Sequence, residues 1–348
     1  MLMRFFRRPM LPFWAAAALA LVGTTRLAAD LTWTPQAGWQ AESGALTGLS
    51  GPQARDVLQL MNKARKDEEA GSLGAAIKLY KKTAKKYQGS VYAPEALYRS
   101  AKLLFRRKQY NKAFDTYQEL LGRYPNTRWF NEVIGEQYKI ASALIDGARN
   151  RIFGWLPWFA NRTRGIASFE VVLRNAPYSD YAPLALMDIA RGYQYQKSTE
   201  EAIDALDRLV NTYPQSVLAP VAYLKLGDLH ASLNEGPQYD QGATKEAMTY
   251  YEDYMILYPG DSNIAVAAAG VDKMKTVLAE SKIYIADFYF YKRSNFRAAK
   301  VFYNEAITAY PESGPAKVAK KRLTEVDARM SKESIGPKAQ PTKRFWLF

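Results

Sequence analysis

The stretch NTYPQSVLAP at residues 211–220 contains a Tyr-Pro pair that recurs along the chain in similar surroundings. The same pair stands in GRYPNTRW (122–129), ILYPGDSN (256–263) and TAYPESGP (308–315). Proline ends a helix because it lacks a backbone donor, and it also keeps the preceding residue out of helical geometry. The Pro of each pair therefore serves as an anchor against which the preceding residues can be compared.

Three positions before the anchor show the same residue character in every copy. The residue is small twelve positions earlier, large eight positions earlier and apolar four positions earlier. The four complete copies carry Ala113, Tyr117 and Leu121; Ala202, Leu206 and Val210; Ala247, Tyr251 and Met255; and Ala299, Tyr303 and Ile307. Two further copies with altered anchors carry Gly165, Phe169 and Leu173 before Pro177, and Ala76, Tyr80 and Ala84 before Gln88. Steps of four place all three positions on one stripe of a helix.

A second apolar segment with helical periodicity precedes most of these stripes, for instance at 95–105, 132–144, 183–193 and 219–233. The repeating unit is therefore helix–turn–helix, and no segment shows the alternation of a strand. This spacing resembles the tetratricopeptide repeat, which implies hairpins that stack into a right-handed superhelix with a concave groove. We predict an all-α, tetratricopeptide-like superhelical solenoid of about six helical hairpins over residues 52–330. Extended arms are expected at 30–51 and 331–348.

The N-terminus has the pattern of a secretory signal peptide. Arg4, Arg7 and Arg8 precede an apolar run at 10–22, and small residues stand before Asp30. We predict a cleaved leader at 1–29, with an uncleaved membrane anchor as the alternative. The 348 residues include no Cys, which excludes disulfides, thiolate metal sites and lipid attachment through a Cys of this sequence.

Two insertions interrupt the repeats. The first, GARNRIFGWLPWFANRTR (147–164), carries Phe153, Trp155, Trp158 and Phe159 among four Arg. One interpretation is a loop that folds back and buries its rings; the other is a docking patch for a partner or the membrane interface, since Trp and Phe with Arg compose such anchors. The second insertion, at 234–246, is polar and predicts a simple loop.

The proposed partner-binding residues come from three segments. They are Phe153, Trp155, Trp158 and Phe159 of the aromatic insertion, Arg106, Arg107 and Lys108 of a basic turn, and Phe345, Trp346 and Phe348 of the tail.

The formal charge of +14 is distributed unevenly. Residues 52–110 carry 14 Lys and Arg against 5 Asp and Glu, whereas residues 163–329 carry 19 against 21. A basic region suits anionic lipid, an acidic protein face or nucleic acid, and the predicted export argues against nucleic acid. The alternative is a solvated, Lys-rich helix face.

The sequence shows no catalytic constellation. The single histidine, His230, stands on an apolar-periodic helix, where a structural role is expected. No zinc-protease, phosphate-loop or nucleophile-elbow motif is present in the sequence. We therefore predict neither an enzyme nor a cofactor or metal site.

The C-terminal half resembles the BamD family more closely than tetratricopeptide proteins in general. The first feature is a helical bridge with Leu278-Ala279, Ile285-Ala286 and Phe288-Tyr289, which is followed by NFRAAKVFYNEAITAYP (295–311). The second is the polar insertion that precedes AMTYYEDYMILYP (247–259). The resemblance implies a periplasmic scaffold of the outer-membrane β-barrel assembly machinery. Such a scaffold would bind the large barrel subunit, unfolded outer-membrane proteins or both, and contact the inner face of the outer membrane peripherally.

The chain departs from that family in two ways. The family is typically anchored as a lipoprotein through Cys, and the first two repeat copies, at 55–145, are additional to the usual count. The alternative function is a soluble periplasmic adaptor for cell-envelope or cell-division proteins.

Overall fold

The computed structural model describes residues 31–41, 49–152 and 155–335. The predicted leader and the tail residues Phe345, Trp346 and Phe348 lie outside these ranges, and so does Phe153. The chain divides into two compact units, Met1–Leu103 and Leu104–Phe348.

Thirteen α-helices account for most of the described residues. In chain order they are α1 (Gly51–Glu69), α2 (Leu73–Lys86), α3 (Tyr92–Arg106), α4 (Tyr110–Arg123), α5 (Phe130–Ile145), α6 (Arg162–Asn175), α7 (Tyr181–Tyr195), α8 (Thr199–Thr212), α9 (Ala219–Ser232), α10 (Gly242–Leu257), α11 (Ile264–Asp287), α12 (Phe296–Ala309) and α13 (Gly314–Ile335). A single π-helical turn, Phe288–Lys292, follows α11. None of the helices in the described ranges combines the length and the apolar character needed to cross a bilayer.

Helices that are consecutive in sequence pack against each other. In the first unit α1 packs on α2, and in the second unit the series runs from α4 to α13. The predicted all-α, tetratricopeptide-like solenoid is thereby confirmed. The long segment before the last repeat is one helix, α11, which packs on both α10 and α12.

The repeat stripe forms the contacts between helices. The small residues at the first position are buried in all six copies, and so are the large residues at the second. A small side chain permits close approach: a Cβ on Gly165 of α6 would lie 2.8 Å from Ile145 of α5. The burial of this stripe supplies the apolar driving force for stacking.

The Tyr-Pro pairs end the second helix of each hairpin in a common backbone geometry. Tyr124, Tyr213, Tyr258 and Tyr310 are the C-cap residues of their helices, with φ between −126° and −143° and ψ between 54° and 67°. The two copies with altered anchors end in the same region, at Tyr87 and Ala176. The turn is therefore a property of the whole repeat rather than of the proline alone.

The structure corrects the expectation that the chain has no strands. Strands β1 (Leu31–Thr34) and β2 (Gly38–Ala41) pair antiparallel, and β2 contacts α1, so the described part of the N-terminal arm is a folded hairpin rather than extended chain. A second hairpin, β3 (Arg149–Ile152) and β4 (Leu156–Ala160), occupies the aromatic insertion. Helix α13 continues to Ile335, so helical structure extends into the segment predicted as a tail.

Candidate functional site

Exposed apolar side chains occur at several places in the second unit, and two of these places are well-defined surfaces. The first, which we call the aromatic hairpin, consists of β3, β4 and Trp155. The second, which we call the Tyr-Pro groove, lies between the α6–α7 turn and the α8–α9 turn.

The aromatic hairpin begins where α5 is closed by a left-handed glycine. Gly147 has φ +88°, and the amide of Ala148 donates to the carbonyl oxygen of Ala143 at 2.9 Å. This is the glycine-capped end that satisfies the last carbonyls of a helix. The chain then leaves the helix axis and enters β3.

Backbone and side-chain hydrogen bonds hold β3 against α4. The amide of Arg151 donates to the carbonyl oxygen of Lys108 at 2.9 Å, and the amide of Asn111 donates to Asn150 Oδ1 at 3.3 Å. Lys108 itself has φ +56°, which turns the chain between α3 and α4. The hairpin is therefore anchored along β3, on its side nearest to α4.

The first turn of α6 fixes the point at which the chain leaves the hairpin and re-enters the helical repeats. Asn161 Oδ1 accepts a hydrogen bond from the amide of Arg164 at 2.8 Å, which caps the helix. Arg162 Nε donates to the carbonyl oxygen of Ile145 at 3.1 Å, and Arg164 Nη2 lies 2.5 Å from Asp115 Oδ1. These contacts tie the C-terminal end of the insertion to α5 and to α4.

The rings of the hairpin point into solvent. The exposed fractions are 71% for Trp155, 53% for Trp158 and 78% for Phe159, and all five residues of β4 are exposed. Trp158 and Phe159 contact each other edge to face, with ring centroids 5.4 Å apart. The interpretation that this insertion folds back and buries its rings is wrong for the described residues, because the rings of Trp155, Trp158 and Phe159 are all exposed.

The structure brings part of the predicted basic turn to the hairpin. Arg106 and Lys108 are exposed and Arg107 is half-buried, and the carbonyl of Lys108 receives the backbone of β3. Their role in partner binding stays a prediction, as does that of the aromatic residues. Phe153 and the three tail residues lie outside the described part of the chain.

The Tyr-Pro groove was not predicted, although it contains the sequence that reveals the repeat. It has a volume of about 670 Å³ and is lined mainly by apolar atoms of two turns and the start of α7, including Tyr178, Leu184, Pro214 and Val217. Tyr178 is almost fully exposed, and the exposed fraction of Val217 is 89%. The only signal in the sequence was the presence of large apolar residues inside turns that are otherwise polar.

One hydrogen bond ties the two turns of the groove together. Tyr213 Oη donates to the carbonyl oxygen of Pro177 at 2.7 Å. The Tyr of the Tyr-Pro pair in one repeat thereby reaches the turn of the preceding repeat. This bond therefore links the turns of two adjacent hairpins across the groove.

His230 is buried between helices, as expected for a structural residue. Its ring stacks on Tyr250 with centroids 5.2 Å apart, and Nδ1 lies 2.9 Å from Glu246 Oε2. It joins α9 to α10, away from both exposed surfaces.

The stacked hairpins and the buried small–aromatic stripe define a tetratricopeptide-repeat protein, and a tetratricopeptide-repeat profile matches residues 95–127. The chain belongs more particularly to the YfiO family, described as outer membrane lipoproteins, whose profile matches residues 161–340, just over half of the chain. The resemblance to BamD predicted from the sequence is thus confirmed at the level of the family.

Individual relatives are more distant. The chain is 25% identical over 209 residues to the outer membrane protein assembly factor BamD of Neisseria meningitidis serogroup B, covering 54% of this chain and 78% of that protein. Among solved structures, it is similar to a tetratricopeptide repeat protein of Parabacteroides merdae, with 15% identity, a TM-score of 0.32 and coverage of 78% of this chain and 99% of that chain. A repeat protein of Cytophaga hutchinsonii has 20% identity, a TM-score of 0.31 and coverage of 74% and 85%.

Proposed function

We propose that the protein is an exported, non-enzymatic adaptor that works in the periplasm, at the inner face of the outer membrane, in the assembly of outer-membrane β-barrel proteins. The observation that carries the proposal is the family match over residues 161–340, a range that contains the whole of α6 to α13. The similarity to an assembly factor from Neisseria covers 78% of that relative and supports the same role.

The Tyr-Pro groove is the surface that we assign to this role. It lies inside the family-matched range and offers an apolar lining whose two turns are linked by the Tyr213–Pro177 hydrogen bond. An apolar concavity of this size suits a short run of apolar side chains from a protein partner. We propose that the partner is the large β-barrel assembly subunit and that unfolded outer-membrane proteins use the same surface.

A groove variant and a matched surface variant test this assignment. Val217→Lys places a charge inside the apolar groove, whereas Ile256→Lys changes an exposed residue at the end of α10, outside the residues that line the groove. Each tagged protein is purified from detergent-solubilised envelopes of its own organism, and the recovered proteins are quantified by mass spectrometry. We expect the wild type and Ile256→Lys to recover a large β-barrel protein, and Val217→Lys to recover at least tenfold less.

Two results would contradict the proposal in different ways. If the wild type recovers cell-wall or division proteins and no barrel protein, the function is that of another envelope adaptor. If Val217→Lys recovers the barrel protein as well as the wild type does, the function stands but the groove is not the binding surface.

A further inference from the structure

The match to the family of outer membrane lipoproteins does not explain what the aromatic hairpin does. The family profile begins at residue 161, and β4 ends at Ala160, immediately before that range. The hairpin is therefore an element of this chain that precedes the family-matched helices. Its role has to be argued from its own exposure and charge.

Both faces of β4 are open to solvent. Side chains alternate between the two faces of a strand, and every residue from Leu156 to Ala160 is exposed. A protein surface that docks on a two-stranded ribbon covers one face of the ribbon and leaves the other face exposed to solvent. A lipid interface surrounds such a ribbon and covers both faces at once, so the exposure of every residue of β4 favours a membrane. Trp158 and Phe159 lie between the pairs Arg149–Ala160 and Arg151–Pro157, where the register shifts by one residue, and their rings contact each other.

The charge of the hairpin complements an anionic membrane surface. Residues 147–164 contain four Arg and no Asp or Glu. Arg164 pairs with Asp115, and the Arg162 guanidinium lies over the Tyr195 ring at 5.2 Å, so both are committed to the helical array. Arg149, which is exposed, and Arg151, which is half-buried, remain on β3. The exposed Lys108 lies beside them, and its carbonyl oxygen accepts a hydrogen bond from the Arg151 amide.

The strand geometry limits how deeply the hairpin can enter a bilayer. β4 pairs with β3 on one edge only, and its other edge carries backbone groups that hydrocarbon cannot satisfy. Trp side chains also favour the headgroup level, where the ring is in apolar surroundings and the indole N–H is solvated. The depth is therefore that of an interfacial element, roughly 5–10 Å into the headgroup and acyl boundary.

We propose that the aromatic hairpin is an interfacial anchor for anionic bilayers. Trp155, Trp158 and Phe159 enter the headgroup region, and Arg149 and Arg151 bind lipid phosphates. The proposal rests on the hairpin alone and holds whether or not the protein acts in barrel assembly.

The absence of Cys from the sequence permits a local test. In the full-length protein, Phe159→Cys and Tyr239→Cys each provide one labelling site for a fluorophore that shifts to shorter wavelength in apolar surroundings. Tyr239 lies in the polar insertion and is also an exposed aromatic residue, at 53% against 78% for Phe159, so it serves as the control. The probes are vesicles of phosphatidylcholine alone and of equal parts phosphatidylcholine and phosphatidylglycerol.

We expect the emission of the label at Phe159→Cys to shift to shorter wavelength on anionic vesicles. The emission of the label at Tyr239→Cys should stay at its wavelength in buffer. Adding Arg149→Ala and Arg151→Ala to the Phe159→Cys protein should weaken vesicle binding about fivefold per guanidinium, and raised salt should reduce the shift. Thermal unfolding verifies that each variant is folded. If Phe159→Cys is not folded, Trp155→Cys provides a second labelling site in the hairpin.

Three results would overturn the proposal. In the first, the emission of the hairpin label shifts on neither kind of vesicle. In the second, the emission of both labels shifts to the same extent. In the third, the emission of the hairpin label shifts only when envelope proteins are added to the vesicles. The last result would assign the hairpin to a protein partner instead.

Discussion

At the scale of the residue, the closeness of neighbouring helices depends on pairing a large ring with glycine. The ring of Tyr251 in α10 lies between Gly227 of α9 and Gly270 of α11. A Cβ on Gly227 would come 2.5 Å from the ring, and one on Gly270 would come 2.7 Å from it. The hydroxyl of Tyr251 donates to Asp228 Oδ1 at 2.7 Å, so the ring cannot move aside without losing this bond.

Gly227→Ala should therefore destabilise the protein. The added methyl group overpacks the contact with Tyr251, at a cost of about 1–3 kcal/mol. Alanine regains up to about 1 kcal/mol of helix propensity. We expect the free energy of unfolding in urea to fall by about 1–2 kcal/mol.

Gly122→Ala in α4 is the matched control. A Cβ at Gly122 would meet nothing within 4 Å, so only the gain in helix propensity remains. This variant should be as stable as the wild type or up to about 1 kcal/mol more stable. Equal destabilisation by both variants would show that the Tyr251 contact is not what requires Gly227.

The buried tyrosines make the fold sensitive to alkaline pH. Burial raises the pKa of Tyr254 to about 12, and burial, followed by a hydrogen bond to an acidic partner, raises the pKa of Tyr251 and of Tyr303. Unfolded tyrosine has a pKa of about 10 and loses its proton first, so a rising pH favours the unfolded state. The stabilisation is complete below pH 10 and is lost above it.

The free energy of unfolding should therefore decline between about pH 10 and pH 12, in the range between the unfolded and folded pKa of Tyr254. Urea unfolding at a series of pH values measures the slope. Tyr254→Phe removes one of the titrating groups, so its slope over this interval should be shallower than that of the wild type. Parallel curves would contradict the assignment to Tyr254.

The sequence predicts the buried stripe at this scale but not its polar partners. Tyr80 donates to Glu68, Tyr251 to Asp228 and Tyr303 to Asp287, at separations of 12, 23 and 16 residues. The small and large positions keep fixed offsets because they lie within one helix. Each acid lies on the preceding helix, and the turn between the two helices varies in length, so no constant spacing marks it.

At the scale of the element, a short hairpin completes the start of the first unit. Trp39 of β2 is buried, its amide donates to Asn62 Oδ1 of α1 at 2.8 Å, and the Arg99 guanidinium lies over its ring at 4.5 Å. Trp33 of β1 is only half-buried and lies beneath Arg65. The hairpin therefore provides the terminal cover that stacked repeats need.

Trp39→Ala should remove most of this cover. Truncation of a buried Trp costs about 3–5 kcal/mol, whereas a cation–ring contact such as that of the half-buried Trp33 contributes about 0.5–2 kcal/mol. We expect hydrogen exchange in α1 to accelerate strongly in Trp39→Ala and only slightly in Trp33→Ala. Unchanged exchange in Trp39→Ala would show that the hairpin does not stabilise the first repeat.

The strands could not be predicted for a physical reason. LTWT, GWQA, RNRI and LPWFA are four or five residues long, too short to establish an alternation of period two. Their conformation is set by contacts with helices, such as the bond from the Arg151 amide to the Lys108 carbonyl. The helical repeats, by contrast, are determined within single segments and recur six times.

At the scale of the whole molecule, the family-matched helices and the aromatic hairpin occupy adjoining parts of the chain. Residues 161–340 carry the similarity to outer-membrane proteins, and the hairpin precedes them directly. The repeat class and the family could be recognised from the sequence, because repetition and motif order survive divergence. The Tyr-Pro groove could not, because it forms only when two turns, about 35 residues apart in sequence, lie side by side.

Depletion of the protein from cells of its own organism tests the central claim most directly. Quantitative mass spectrometry of the envelope then compares β-barrel outer-membrane proteins with helical inner-membrane proteins. An adaptor of barrel assembly predicts a several-fold loss of the barrel proteins while the inner-membrane proteins keep their levels. Unchanged barrel proteins after complete depletion would contradict the account.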